Sequence, residues 1–87
     1  MDRKKRYGFT LYGKHVELTI ASLEKSLEGV EPREVRKYSV IINRRSYPVK
    51  QVVSVALGIA VGEFSAQDAI RILKKMGYTI RVTQTEA

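Results

Sequence analysis

Cysteine and tryptophan are absent from this chain, and histidine occurs once, at His15. Without thiols there is neither a disulfide framework nor a thiolate metal site, and a reducing, cytoplasmic setting is expected. A single imidazole with no cysteine beside it suits a surface residue better than a metal ligand or general base. The nine acids are spread mainly over residues 17–34, so the clustered carboxylates and activated nucleophiles that hydrolases and nucleases need are lacking. Gly58 and Gly62 do not have the spacing of a phosphate-cradling loop. No apolar run approaches the roughly 18 residues of a membrane span, and no signal-peptide core follows the basic N-terminus. These gaps point to a soluble, intracellular, non-enzymatic domain that calls for no cofactor and no metal.

What the chain does have is positive charge, a net +7 over 87 residues. It is unevenly placed. Met1–Arg6 carries four basic residues against Asp2, and residues 31–50 carry six against Glu31 and Glu34. Residues 71–81 hold Arg71, Lys74, Lys75 and Arg81 with no acid, whereas residues 51–70 hold Glu63 and Asp68 with no cation. Clustered cations with a pI near 9.9 form the electrostatic footprint of a nucleic-acid binder. That footprint restricts the partner class, not the activity.

The organising stretch is Arg36–Gly58. Tyr38, Val40 and Ile42 alternate with Ser39 and Ile41, which predicts a strand with one face inward. Asn43-Arg44-Arg45-Ser46 follows as a tight turn, since Asn takes a positive φ at little cost. After a short return segment, Pro48 opens an apolar helix that ends at Gly58. Lys50 and Gln51 fall in that helix's first turn, where a cation is unfavourable by roughly 0.3–1 kcal/mol unless something negative is bound. Helix N-termini hold phosphates readily. The plainer alternative is that Lys50 lies along the helix stem while Arg44 and Arg45 solvate a hairpin tip.

The flanks are read in the same way. Residues 1–8 are expected to be a basic flexible arm, 9–83 one domain and 84–87 a frayed tail. Tyr7–Tyr12, between Gly8 and Gly13, suits a short strand or a packed lead-in. Val16, Ile20, Leu23 and Leu27 fall on one helical stripe, so a helix is expected over Lys14–Glu28, with Gly29 stopping it. Ser65 to Asp68 partly fits a capping box, with Asp in place of Glu at the third helical position, preceded by Phe64 as a hydrophobic staple. A helix over 65–76 should turn Ala69, Ile70, Leu73 and Met76 inward, with Ile72 flanking, and Arg71, Lys74 and Lys75 outward. Gly77 ends it, and Tyr78–Thr83 alternates as a last strand paired with Tyr38–Ile42. The fold class expected is a small α+β domain, winged-helix-like in size, with three helices on a two- or three-stranded antiparallel sheet. Helices 48–57 and 65–76 could form a helix-turn-helix pair with the second exposed.

The run Tyr47-Pro48-x-Lys50, then Phe64-Ser65, then Gly77-Tyr78 resembles the N-terminal head domain of ScoMcrA-type modification-dependent restriction endonucleases. The resemblance covers most of residues 14–82. It implies an accessory DNA-contacting module, here as a stand-alone domain, with base-reading and cleavage domains elsewhere in such enzymes. The residues quoted are mainly core and turn positions, which specify a fold more than an activity.

Two functional classes follow. In the first, duplex DNA, favoured over RNA, is contacted by Arg44 and Arg45 at the turn and by Lys50 and Gln51 at the helix start. Arg33, Arg36 and Lys37 flank them; Arg71, Lys74 and Lys75 form a second patch, and Arg3, Lys4, Lys5 and Arg6 add non-specific affinity. In the second, a small basic interaction or inhibitor domain docks on an acidic protein through exposed Tyr7, Tyr12 and Tyr47 beside arginines. Geometry separates them: basic segments sharing one face favour nucleic acid, and scattered ones favour a protein partner.

Overall fold

Two β-hairpins, each closed by a two-residue turn, frame a three-helix core in the computed structural model, which describes residues 4–35 and 37–82. The first hairpin pairs β1 (Tyr7–Leu11) with β2 (Lys14–Leu18), Leu11 opposite Lys14. Its turn residues, Tyr12 and Gly13, have φ of 49° and 81°. Positive φ at both central positions is the type I′ pattern, whose twist matches that of paired strands. β1 therefore begins at Tyr7, inside the stretch expected to be arm.

This hairpin corrects the helix expected over Lys14–Glu28. Only Ile20–Ser26 is helical, as α1. Val16, Ile20, Leu23 and Leu27 do satisfy helical spacing, but Val16 and Leu18 also alternate with His15 and Glu17. Pairing with β1 selects the second pattern. Thr19 then caps α1: its hydroxyl accepts from the Ser22 N–H at 2.9 Å, and its own N–H donates to Ser22 Oγ at 3.1 Å. That reciprocal box satisfies two backbone donors that would otherwise be orphaned.

The second hairpin pairs β3 (Tyr38–Ile42) with β4 (Arg45–Pro48) and turns at Asn43 and Arg44, with φ of 53° and 66°. Val40 faces Tyr47 across it. Tyr47, expected at the surface, is only 1% exposed. Its hydroxyl donates to Val30 O at 3.0 Å and lies 3.4 Å from Leu27 O, stitching the loop after α1 to the core. A buried tyrosine needs such an acceptor.

α2 (Val49–Leu57) follows directly, with Pro48 at its N-cap and Gly58 at φ 70° at its end. It is the central helix, touching α1, α3, β2, β3 and β4. A 3₁₀ turn, Val61–Glu63, leads to buried Phe64 and to Ser65, the N-cap of α3 (Ala66–Lys75). The partial capping box read in the sequence is complete in space: Ser65 Oγ accepts from the Asp68 N–H, and Asp68 Oδ2 accepts from the Ser65 N–H at 3.0 Å. Gly77, at φ 97°, closes α3 with the paired Tyr78 N–H to Leu73 O and Gly77 N–H to Lys74 O bonds of a Schellman motif.

β5 (Arg81–Val82) pairs with Ser39 and Tyr38, giving a three-stranded sheet in the order β4-β3-β5. The partner strand is the expected one and the element is shorter; Thr83 and the tail lie outside the described residues. One core joins both hairpins and all three helices, centred on Leu23, Val52, Val53, Ile72 and Leu73. Ile72, expected at the flank of α3, is fully buried. The architecture is a small α+β domain with antiparallel sheets of two and three strands. Among the described residues no helix is long and apolar enough to cross a membrane.

Candidate functional site

The basic turn is held in place by polar contacts to α1 and the loop after it. Asn43 Nδ2 donates to Glu24 O at 3.0 Å. Arg45 reaches Val30 O at 3.5 Å and lies 3.8 Å from a Glu31 carboxylate oxygen. Arg44 is exposed at the tip, and among the described residues it makes no hydrogen bond or ion pair. The turn thus offers one unencumbered cation and one neighbouring an acid.

At the start of α2 the two adjacent residues part company. Gln51 is 8% exposed, and its amide is committed to the loop: Oε1 accepts from the Arg33 N–H at 2.8 Å, and Nε2 donates to Glu31 O at 2.9 Å. It fixes the path of residues 31–33 rather than facing solvent, which removes it from the expected phosphate contacts. Lys50 is half-buried, with its ammonium 5.5 Å from the centre of the Phe64 ring. That cation–π contact accommodates its charge in the first turn without a bound anion. Lys37 is exposed over the Tyr38 ring, and Glu34 lines the same surface as Lys37 and Lys50. Arg3 and Arg36 lie outside the described residues.

The third group behaves differently. Arg71 and Lys75, one turn apart on α3, both reach across to β1. Arg71 Nη2 lies 3.5 Å from Thr10 O, and Lys75 Nζ donates to Gly8 O at 3.2 Å while lying 5.3 Å from the Phe9 ring. Lys74 is exposed and makes neither contact. On the same hairpin Lys5 sits over the Tyr7 ring, and Arg6 lies 3.8 Å from a Glu17 oxygen whose partner oxygen is 3.1 Å from His15 Nε2. Lys4 is exposed beside them. Lys5 thus lies at the start of β1 and α3 reaches the Gly8 and Thr10 carbonyls of that strand, whereas Arg6 turns to Glu17 on β2 and the turn at Arg44 docks on α1.

Between β1 and α3 lies an open groove of about 350 Å³ lined by Gly8, Phe9, Thr10, His15, Arg71 and Lys75. Two cations, an imidazole and no carboxylate line it. Gly8 leaves room there for the imidazole: a Cβ would stand 2.9 Å from the His15 ring, which would have to shift. His15 thus lies on β2 against the strand, not at a helix start. At the opposite end of the hairpin the Tyr12 hydroxyl donates to Asp68 Oδ2 at 3.1 Å. That oxygen also accepts from the Ser65 N–H, which with the other Ser65 and Tyr12 bonds holds the Asp68 carboxyl below its usual range; Asp68 in turn raises the Tyr12 phenol. Gly8, Thr10 and Asp68 did not emerge as site residues from the sequence, and Tyr12 did so only as a surface contact for a protein partner. The signal that could have found them was the alternation on both sides of Tyr12-Gly13.

The fold and this geometry define a small, cation-bearing α+β domain of two hairpins and three helices. The chain belongs to the SCO5918-like family, whose model matches residues 5–87. No curated protein and no solved structure matches it.

Proposed function

We propose that the domain is a non-enzymatic nucleic-acid-binding module acting in the cytoplasm, with duplex DNA as its preferred polymer. One observation carries this reading: Lys5 lies over Tyr7 at the start of β1, and Arg71 and Lys75 on α3 reach the Thr10 and Gly8 carbonyls of the same strand, beside a groove whose lining holds no carboxylate. Cations gathered on one surface from separate segments suit a polyanion better than simple solubility does. Arg44, unpaired at its tip, is a secondary phosphate contact; Arg45 and Lys50 contribute less because they lie away from β1, beside Glu31 and Phe64. Most of the affinity is sequence-independent and salt-sensitive.

The resemblance to ScoMcrA-type head domains points the same way without adding a contact. Tyr47 is buried, Pro48 and Ser65 are N-caps, Phe64 is core and Gly77 closes α3. Each has a folding role that needs no DNA, so a restriction-associated role rests on likeness alone. The test is fluorescence anisotropy with a random duplex of about 20 bp over a range of salt. Log K should fall steeply with log salt, and the R71Q/K75Q double variant should lower the slope by about 1–2. Absence of binding at about 50 mM salt overturns the reading.

One observation favours a protein partner as a second reading. Tyr12 is 72% exposed beside a cleft of about 260 Å³ lined by Leu11, Val16 and Ile59, a setting in which tyrosine can act as an interface anchor. Tyr47 no longer belongs to that surface. In this case Tyr12→Ala abolishes capture of the partner and leaves the duplex titration unchanged.

A further inference from the structure

The outer edge of β1 presents donors and has lost its acceptors. In the β1–β2 pair, Leu11 faces Lys14 across the two-residue turn. Such a closing pair exchanges both hydrogen bonds, and bonded and non-bonded pairs then alternate along the ladder. Tyr7, Phe9 and Leu11 therefore bond to β2, while the peptide groups of Gly8 and Thr10 point the other way. The contacts agree, since the Gly8 and Thr10 carbonyls are the two that Lys75 and Arg71 reach.

An open strand edge normally offers N–H and C=O groups in turn, and so invites another strand. Here both carbonyls are occupied by cations. The Gly8 and Thr10 N–H groups have no hydrogen-bond partner among the described residues. An incoming strand would meet donors without acceptors. An oxyanion needs donors only. Lys75 keeps further donors beside the groove, while Arg71 Nη2 also lies 3.6 Å from Asp68 Oδ1, a surface ion pair with which an incoming anion competes.

We propose that this edge is a seat for one phosphate group. Its ligands are the Thr10 N–H group, which lies between the Gly8 and Thr10 carbonyls on this edge, together with Arg71 and Lys75, with the Gly8 amide adjoining. Charge-assisted bonds of this kind are short and directional, and a guanidinium's planar fork suits a phosphate. The Thr10 side chain and His15 wall the site on the hairpin's outer face, where Gly8 leaves room for the imidazole. The groove of about 350 Å³ is open, so it admits a phosphodiester in a chain as readily as a free phosphate. As the point where the polymer's backbone is held, the seat rests on the nucleic-acid reading; as an anion seat it stands on the edge geometry.

The experiment is an amide-resolved NMR titration of the whole chain with inorganic phosphate, against sodium chloride at matched ionic strength, and separately with the 20-bp duplex. Phosphate should move the Gly8 and Thr10 amide signals in a saturable manner that chloride does not reproduce. The R71Q/K75Q variant, its fold checked by the unchanged spectrum of α2, should weaken that response at least tenfold. The duplex should move the same two amides. If it does not bind while phosphate does, the seat is upheld with a small phosphate as its ligand, and the nucleic-acid reading fails. If the duplex binds while both amides stay still with either probe, the seat is overturned and the nucleic-acid reading survives. Equal responses to phosphate and chloride also overturn it.

Discussion

The two hairpins share a plan and differ in what they are fastened to. Both turn through two residues of positive φ, and both hook a polar side chain at the tip onto a helix. In β3–β4, Asn43 donates to the Glu24 carbonyl near the end of α1. In β1–β2, Tyr12 donates to the Asp68 carboxylate at the start of α3. The first hook is an amide on a carbonyl and has no titrating partner. The second runs through a carboxylate that also caps a helix, so it couples hairpin, helix and pH. The hairpins also divide the labour of packing: β3–β4 sends Tyr47 deep into the core, whereas β1–β2 covers the core with Phe9 and Leu11 and leaves its far edge to α3.

The packing difference gives the largest expected effect. Tyr47→Ala removes a side chain that is 1% exposed, together with its bond to Val30 O, and should cost about 3–5 kcal/mol. Phe9→Ala, at a slightly more exposed position, should fall near the lower end of that range. Urea unfolding of both variants checks the order, and a larger loss for Phe9→Ala would reverse the roles assigned to the hairpins.

Next come the turns. Gly13 has φ 81° with nothing near its missing Cβ, so Gly13→Val should cost about 1–2 kcal/mol through backbone strain alone. Arg44 is a non-glycine residue at φ 66°. Arg44→Gly relieves that strain but adds freedom to the unfolded chain, and should stabilise by up to about 1 kcal/mol. Urea midpoints of the two variants should move in opposite directions. Arg44→Gly should also leave the phosphate response of Gly8 and Thr10 untouched, since the tip lies on α1 and not beside β1.

The smallest effect separates the hooks by pH. The pKa of Asp68 is lowered on folding, chiefly by the Ser65 N–H. Its contribution is therefore complete above the unfolded value, near 3.9, and is lost as pH falls through the lower folded value. The difference in Tm between wild type and Asp68→Asn should shrink toward acid, whereas that for Asn43→Ala should stay flat over the same range. Tyr12, raised above 10.0 mainly by its bond to Asp68, contributes fully below that value. That part is lost as pH rises through the higher folded pKa. A flat Asp68→Asn difference would mean that the carboxylate hook carries no charge-dependent stability.

The same contrast explains what could be read beforehand. β3–β4 was legible because Tyr38, Val40 and Ile42 alternate without a competing period and Asn43 marks the turn. α2 and α3 were legible from their ends, Pro48 and Gly58, Ser65 and Gly77, since these residues act on the backbone next to them. β1–β2 was not. Val16, Ile20, Leu23 and Leu27 fit a helix as well as they fit a strand followed by a cap at Thr19, and local spacing has no means of choosing. The candidate site divides likewise. Arg71 and Lys75 were singled out as one outer face of α3, but Gly8, Thr10 and His15 carry no chemistry of their own until β1 lies beside that face.

The sequence by itself determined the charge of the molecule, the order and punctuation of its later elements and its α+β class, because propensities, caps and turn residues act over a few positions. Only the tertiary structure decided that Lys14–Leu18 would be a strand, that Gln51 and Tyr47 would turn inward to hold the loop at residues 27–33, and that α3 would lend its cations to the edge of β1. Those outcomes depend on pairings between residues tens of positions apart. There, burial and hydrogen bonding between partners outweigh a local preference worth less than about 1 kcal/mol per residue.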